Sequence, residues 1–378
     1  MADKFPLEGM ERLMFSDYFN DKKILVSGNT GFKGSWLTVW LLKLGARVYG
    51  VSRDVPTQPA MFEELHLSER VAHTTLDIRD LEGVCGLVAD IKPDIVFHLA
   101  AQPIVSLSYL EPVETLSSNI MGTTHILEAL RRSGHQCSAV IITSDKCYDN
   151  VEWVWGYRET DNLGGKDIYS ASKGAAELVI KSYFHSFFQN SPVKLTSARA
   201  GNVIGGGDWA LDRIVPDCMR AWSSKQPVEI RNPNATRPWQ HVLEPLSGYL
   251  VLAKVLAERP DAAHGESFNF GPRSEYNFSV VQILSDMSRH WEFMCPADSF
   301  KTTGITTFAE SGLLKLNCDK ALHALKWMPT FEYDQMIEAV SSWYYKYYKE
   351  DEDMYEYTIT QIDQYEAEAQ RKGLSWTK

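Results

Sequence analysis

Between Lys22 and Ala200, six short β-branched runs alternate with longer amphipathic stretches, and this alternation constrains the fold more than any other feature of the chain. The runs are KILVSG, ARVYGVS, VAHTTLD, DIVFHLA, SAVIITS and KLTSARA. The stretches between them include Gly31 to Leu44, Pro112 to Arg132 and Ile168 to Gln189, each long enough for a crossover helix. The pattern predicts an α/β fold with a doubly wound parallel sheet covered by helices on both faces. After Gly201 it changes, and GNVIGGGDW, RNPNATRPW and NFGPRSEYN cluster turn-forming residues. The expected organisation is an N-terminal extension over 1–20, the doubly wound domain over 21–200, and a smaller domain over 201–378. Segments within about 238–272 are expected to return to the first domain. The polar, aromatic stretch from Tyr333 to Lys372 reads as a partly solvated terminal helix.

Composition narrows the function. With 378 residues, 44% of them hydrophobic, the chain can bury a large core. A net charge of −11 argues against an extended nucleic-acid surface, although one small anionic ligand needs only a few local cations and N–H groups. The six cysteines form no CxxC pair, so reduced thiols are expected, with neither a disulfide framework nor a metal site. The first twenty residues lack an apolar core, and no stretch reaches the roughly 18 apolar residues of a span. A soluble, cytoplasmic protein without a membrane partner is the expectation.

The first run leads directly into a glycine loop, ILVSGNTGFKGSW, with Gly28, Gly31 and Gly34 between a predicted strand and a predicted helix. Glycine suits the tight turn and close backbone approach to a pyrophosphate, and helix-start N–H groups face the anion. A Rossmann-type dinucleotide site is therefore expected. The second run ends in Ser52, Arg53 and Asp54, where the ribose 2′ position falls. Asp54 suits a free hydroxyl and Arg53 a phosphate, so NAD is favoured with NADP held open. Asp77 and Ile78 end the third run, where they can flank an adenine or simply cap the next helix.

Tyr169 and Lys173 in YSASK lie four residues apart at the start of a helical pattern, on one face. A tyrosine titrates near ~10 unperturbed, so accepting a sugar proton near neutrality requires nearby positive charge. Lys173 and a nicotinamide cation would supply it.

The motifs GNTGFKG, HLAAQ (His98 to Gln102), NIMGTTHIL from Asn119, YSASK and the NFGP turn occur in the order found in extended short-chain dehydrogenases/reductases. Over residues 22 to 340 the chain resembles their sugar-nucleotide dehydratase and epimerase family. The resemblance implies cofactor contacts from Gly28, Thr30, Gly31, Phe32, Lys33, Gly34, Arg53, Asp77 and Ile78, from Leu99, Ala100 and Ala101, and from Tyr169 and Lys173.

An epimerase in this family needs only a hydroxyl residue at the end of the fifth strand, whereas a dehydratase also needs a base and an acid for the C5 and C6 elimination. Here Ser144, Asp145 and Lys146 stand at that place, where many family members carry Thr-Asp-Glu. The Asp-Lys pair, TSDKCYDN followed by WGYRE, and IRNPNATRPWQHV resemble the CDP-glucose 4,6-dehydratases within the family. The implied cycle is C4 oxidation with Tyr169 as base and Ser144 holding the same oxygen, C5 deprotonation by Lys146, C6 hydroxyl protonation by Asp145, and return of hydride to C6 and of a proton to C5. A 4,6-dehydratase for another nucleotide hexose, or a 4-epimerase, is the alternative.

Gln102, Asn119, Asn202, Arg213, Arg231, Arg237 and His241 are the expected substrate contacts. Guanidinium groups match phosphate oxygens in bidentate geometry. A surface ion pair explains Arg231 as well, and core packing explains Trp239 and His241 as well. The family resemblance implies a homodimer or higher homo-oligomer, with helices including the YSASK helix at the interface.

Overall fold

The computed structural model describes residues 14–291, 293, 295–303 and 313–378. The six expected runs all form strands: β1 (Lys23–Ser27), β2 (Arg47–Ser52), β3 (Ala72–Thr75), β4 (Ile95–His98), β5 (Cys137–Ile142) and β6 (Val193–Ala200). A seventh, β7 (Ser267–Phe270), lies in the region that the sequence presents as turn-rich. All pair in parallel in the order β7-β6-β5-β4-β1-β2-β3. Strand order reverses between β1 and β4, and in such sheets the crevice beyond the strand ends at the reversal is the ligand site.

The strands β1, β4 and β5 are almost wholly buried because helices cover both faces of the sheet. The helix Phe32–Lys43 is buried along its middle, from Gly34 to Leu41. Its two tryptophans find polar partners: Trp36 Nε1 donates to the Gly206 carbonyl at 2.8 Å and Trp40 Nε1 to Glu366 Oε1 at 2.7 Å. A buried indole N–H left without an acceptor would be costly, so these two bonds fix where the later chain lies.

The stretch from Tyr333 differs from the expectation of one partly solvated helix. It forms two, Tyr333–Lys349 and Met354–Arg371, divided where the Asp353 carboxylate caps the second by accepting from Tyr355 N at 2.9 Å and Glu356 N at 3.2 Å. Trp343, Tyr344 and Tyr365 are fully buried, and Trp209 packs edge-on against Trp343 at 5.7 Å. The aromatic residues recur on the inward faces, and burial of their large area outweighs the charged residues between them. Of the expected N-terminal extension, residues 1–13 lie outside the described residues. Phe15 is buried and stacks on Trp376 at 5.1 Å. Among the described residues, no helix is long and apolar enough to cross a membrane.

Candidate active site

The glycine loop connects β1 to the helix Phe32–Lys43 at the point of strand-order reversal. Gly28 has φ +77°, and a Cβ there would come within 2.7 Å of Ala100 N, so β1 and the Leu99–Ala100 end of β4 meet closely. A Cβ on Gly34 would lie 2.0 Å from the Gly28 carbonyl oxygen, so the helix seats directly on the loop. Gly31 differs. Among the described residues, a Cβ there would meet only the Gly28 carbonyl oxygen, at 3.4 Å, and no side chain caps the helix start. This leaves open backbone beside uncapped helix N–H groups, a cradle that fits a pyrophosphate. Asn29 is fully buried, with Oδ1 accepting from Ser52 Oγ at 3.0 Å and Nδ2 lacking a partner among the described residues. Thr30 Oγ1 donates to the Asp54 carbonyl at 2.7 Å, joining the loop to the end of β2. Ile78 is buried against Gly122, and Ala101 is partly exposed beyond β4.

Ser144 lies just beyond β5 and caps the short turn Asp145–Cys147, accepting from Lys146 N at 3.3 Å. Its hydroxyl donates to Asp145 Oδ1 at 2.9 Å, and Asn202 Nδ2 donates to Asp145 Oδ2 at 3.3 Å. Asp145 is 2% exposed, and it fits only because position 201 is glycine: a Cβ there would stand 1.7 Å from Oδ2. Gln240 Nε2 holds the Gly201 carbonyl at 3.0 Å. Lys146 is half-buried on the same turn.

Tyr169 and Lys173 are both buried on the helix Ile168–Tyr183, whose start is capped by Asp167 accepting from Ser170 N at 2.9 Å. Burial pushes the Tyr169 phenol up to about 12, opposed by the Ser144 hydroxyl and the Arg213 guanidinium, so without further positive charge it stays protonated near neutrality. Burial lowers Lys173 to about 8. Lys33 also reaches inward, with Nζ 5.9 Å from the Tyr249 ring centre. Burial, then Lys173 and Arg213, lower it to about 8. Arg213 thus acts on the Tyr169 phenol, and Lys33 lies near Lys173, Arg213 and the Asp145 carboxylate, an arrangement suited to moving protons.

The expected substrate residues separate. Asn202 joins Asp145, and Arg213 faces Tyr169 while pairing with Asp208 at 2.7 Å. Arg231 is on the exposed rim, 3.4 Å from Asp212. Arg237 Nη1 donates to the Thr236 carbonyl at 2.9 Å, in a two-residue strand paired with Phe278–Ser279. Asn119 and Gln102 are turned inward: Asn119 Nδ2 donates to Ser172 Oγ at 2.8 Å, its Oδ1 accepts from Gln102 N at 2.8 Å, and Gln102 Nε2 donates to Thr115 Oγ1 at 2.8 Å. Asn119 fastens the loop after β4 to the YSASK helix, and Gln102 fastens it to the helix Pro112–Leu116. His241 lies in the core, edge-on to Trp36 at 5.8 Å and beside Phe331 at 5.4 Å, because its two-residue strand pairs inside with Val203–Ile204.

Sequence reasoning missed Glu177 and Arg199, paired at 2.7 Å and each nearly inaccessible. Glu177 also accepts from Ser197 Oγ at 2.9 Å and from Thr143 Oγ1, while Arg199 Nη1 donates to Tyr148 OH at 2.8 Å. The pair ties the YSASK helix to the end of β5. The available signal was a glutamate in the small-residue stretch KGAAEL and an arginine inside a buried strand.

His98 and His241 are both buried, and burial lowers each to about 3, while burial pushes Glu244 up to about 7. Between about pH 6.5 and 4.5 the unfolded chain binds two protons that the fold excludes and lacks one that it retains. From these three groups, stability should therefore fall by about 1.4 kcal/mol per unit as pH drops. Urea unfolding at pH 6.5 and pH 5 checks this, and a stability that rises on acidification contradicts it.

The chain matches the family model described as GDP-mannose 4,6 dehydratase over residues 25–340. It is 47% identical over 333 residues to the CDP-glucose 4,6-dehydratase of Salmonella typhimurium, covering 87% of this chain and 92% of that one. Its fold is similar to that of the Thermotoga maritima UDP-glucose 4-epimerase, with TM-score 0.74 and 20% identity over 86% of this chain and 99% of that one. It is likewise similar to the Bacillus anthracis dTDP-glucose 4,6-dehydratase solved with NAD, with TM-score 0.71 and 17% identity over 86% and 97%. With the glycine loop, the Ser144-Asp145-Lys146 turn and the YSASK helix gathered at one sheet edge, the chain belongs to the GDP-mannose 4,6 dehydratase family of extended short-chain dehydrogenases/reductases.

Proposed function

We propose that the chain dehydrates CDP-D-glucose to CDP-4-keto-6-deoxy-D-glucose, a hydro-lyase reaction with NAD as resident cofactor. The carrying observation is the buried Asp145 on the Ser144-Asp145-Lys146 turn, in a chain 47% identical to a CDP-glucose 4,6-dehydratase. An epimerase has no use for that acid-base pair. The glycine loop and the ends of β2, β3 and β4 would hold the dinucleotide, which when bound would supply the hydride acceptor for C4 and the hydride donor for C6. Tyr169 accepts the C4 hydroxyl proton while Ser144 holds the same oxygen, and Lys173 and Arg213 stabilise the phenolate. Lys146 removes the C5 proton, made acidic by the C4 ketone, Asp145 protonates the departing C6 hydroxyl so that it leaves as water, and Lys146 returns a proton to C5 as C6 is reduced. Arg231 and Arg237 are the cations for the substrate diphosphate.

The domain division follows from this reading: residues 21–200 with the returning segment near 238–272 hold the cofactor, and the remainder covers the sugar nucleotide. Exposed Tyr109, Leu110, Val113, Met121 and Leu178 on the helices after β4 and the YSASK helix support a homodimer.

The test is hydride fate. CDP-glucose deuterated at C4, incubated without added reduced cofactor, should yield a 4-keto product deuterated at C6. Loss of the label to solvent, or net accumulation of reduced cofactor, contradicts the internal cycle. Higher kcat/KM with a dTDP-hexose contradicts only the nucleotide assignment.

A further inference from the structure

We infer that Glu114 makes the cofactor site select a free ribose 2′-hydroxyl over a 2′-phosphate, by holding the Arg53 and Arg79 guanidiniums in a continuous chain of charges across the strand ends. The inference rests on the reading of the glycine loop as a dinucleotide site. In doubly wound folds the end of the second strand meets the adenosine ribose, and a nearby arginine there accommodates a 2′-phosphate. The end of β2 carries both Arg53 and Asp54, which point to opposite cofactors.

The geometry decides where the charges go. Arg53 Nε donates to Asp54 Oδ2 at 3.0 Å, and Arg53 Nη1 to Glu114 Oε1 at 2.6 Å. The second Glu114 oxygen accepts from Arg79 Nη1. Arg79 in turn clasps Asp77, through Nε at 3.0 Å and Nη2 at 2.5 Å. Arg79 holds the Asp77 carboxyl below the usual carboxylate range. Arg53 and Asp54 follow β2, Asp77 and Arg79 follow β3, and Glu114 lies on the helix Pro112–Leu116 after β4. The chain of charges therefore spans three crossovers along the edge where the adenosine half would lie.

Three carboxylates face two guanidiniums in this chain, an excess of one negative charge. A phosphate arriving at the ribose would have to displace Glu114 or Asp54 from Arg53 and would be repelled by whichever carboxylate it released. A hydroxyl needs only one acceptor. Arg53 is 52% exposed at its side chain, so these pairs add little to folding stability and their arrangement bears mainly on the ligand.

The test is equilibrium binding of NAD⁺ and NADP⁺ to the full chain by titration calorimetry. It compares wild type, Glu114→Gln, and Glu114→Gln combined with Arg53→Ala. Wild type should prefer NAD⁺. Glu114→Gln should tighten NADP⁺ by roughly tenfold, as a freed guanidinium pairs with phosphate, while leaving NAD⁺ within about threefold. Removing Arg53 as well should abolish the gain. An unchanged NADP⁺ affinity in Glu114→Gln, or equal weakening of both cofactors, overturns the inference. Wild type binding neither dinucleotide overturns the glycine-loop reading and this inference with it.

Discussion

Lys146→Met is expected to bind NAD and oxidise CDP-glucose at C4, yet lose dehydration by roughly 10²- to 10⁴-fold, the usual worth of a positioned acid or base. Methionine keeps much of the apolar stem and removes only the ammonium. The turn that carries it is set by the Ser144 cap and by Asp145, fixed by Ser144 and Asn202, so its shape does not depend on the lysine head group. The discriminating measurement is exchange at C5. In deuterium oxide the wild type should incorporate solvent deuterium at C5 of the product. Lys146→Met should form the C4 ketone without exchanging C5, whereas Asp145→Asn should still exchange C5 and fail to expel the C6 hydroxyl. A Lys146→Met variant that exchanges C5 at the wild-type rate would assign the base to another group.

Glu177→Ala should destabilise the fold by about 3–5 kcal/mol, because it leaves the Arg199 guanidinium buried without its counter-charge. The side chains are only 3% and 2% exposed, so water cannot take over from the missing carboxylate. That loss is a large part of the roughly 5–15 kcal/mol that holds a domain together. Urea denaturation gives the magnitude. Replacing the pair together, Glu177→Leu with Arg199→Met, should recover most of it, since no charge is then buried. Activity should not return with stability. The pair also anchors Tyr148 and the end of β5 to the helix bearing Tyr169 and Lys173, so the double variant should fold with Tyr169 displaced from Ser144 and with reduced kcat. If Glu177→Ala unfolds at the wild-type urea concentration, the pair is not the constraint described.

The six runs from KILVSG to KLTSARA determined the doubly wound sheet, because its central strands, buried on both faces, must be apolar along their length and a parallel neighbour requires a crossover helix. The glycine loop and YSASK were legible for a related reason: a tight turn and a four-residue helical spacing are local, and local geometry is written in adjacent residues. The aromatic residues after Tyr333 were not. Their partners, Trp40 and Trp209, lie more than a hundred residues earlier, and only packing showed that Trp343, Tyr344 and Tyr365 belong to the core.

Non-local pairing also decided which polar residues face the site. Asn119, Gln102 and His241 were expected to contact substrate, with core packing the alternative for His241, but a side chain's partner depends on what the fold brings beside it. The fold brought Ser172, Thr115, Trp36 and Phe331. Arg53 and Asp54 stand next to each other in the sequence and left the cofactor open. Glu114, 61 residues beyond Arg53, supplies the missing term, since an arginine already committed to two carboxylates is no longer a free phosphate receptor.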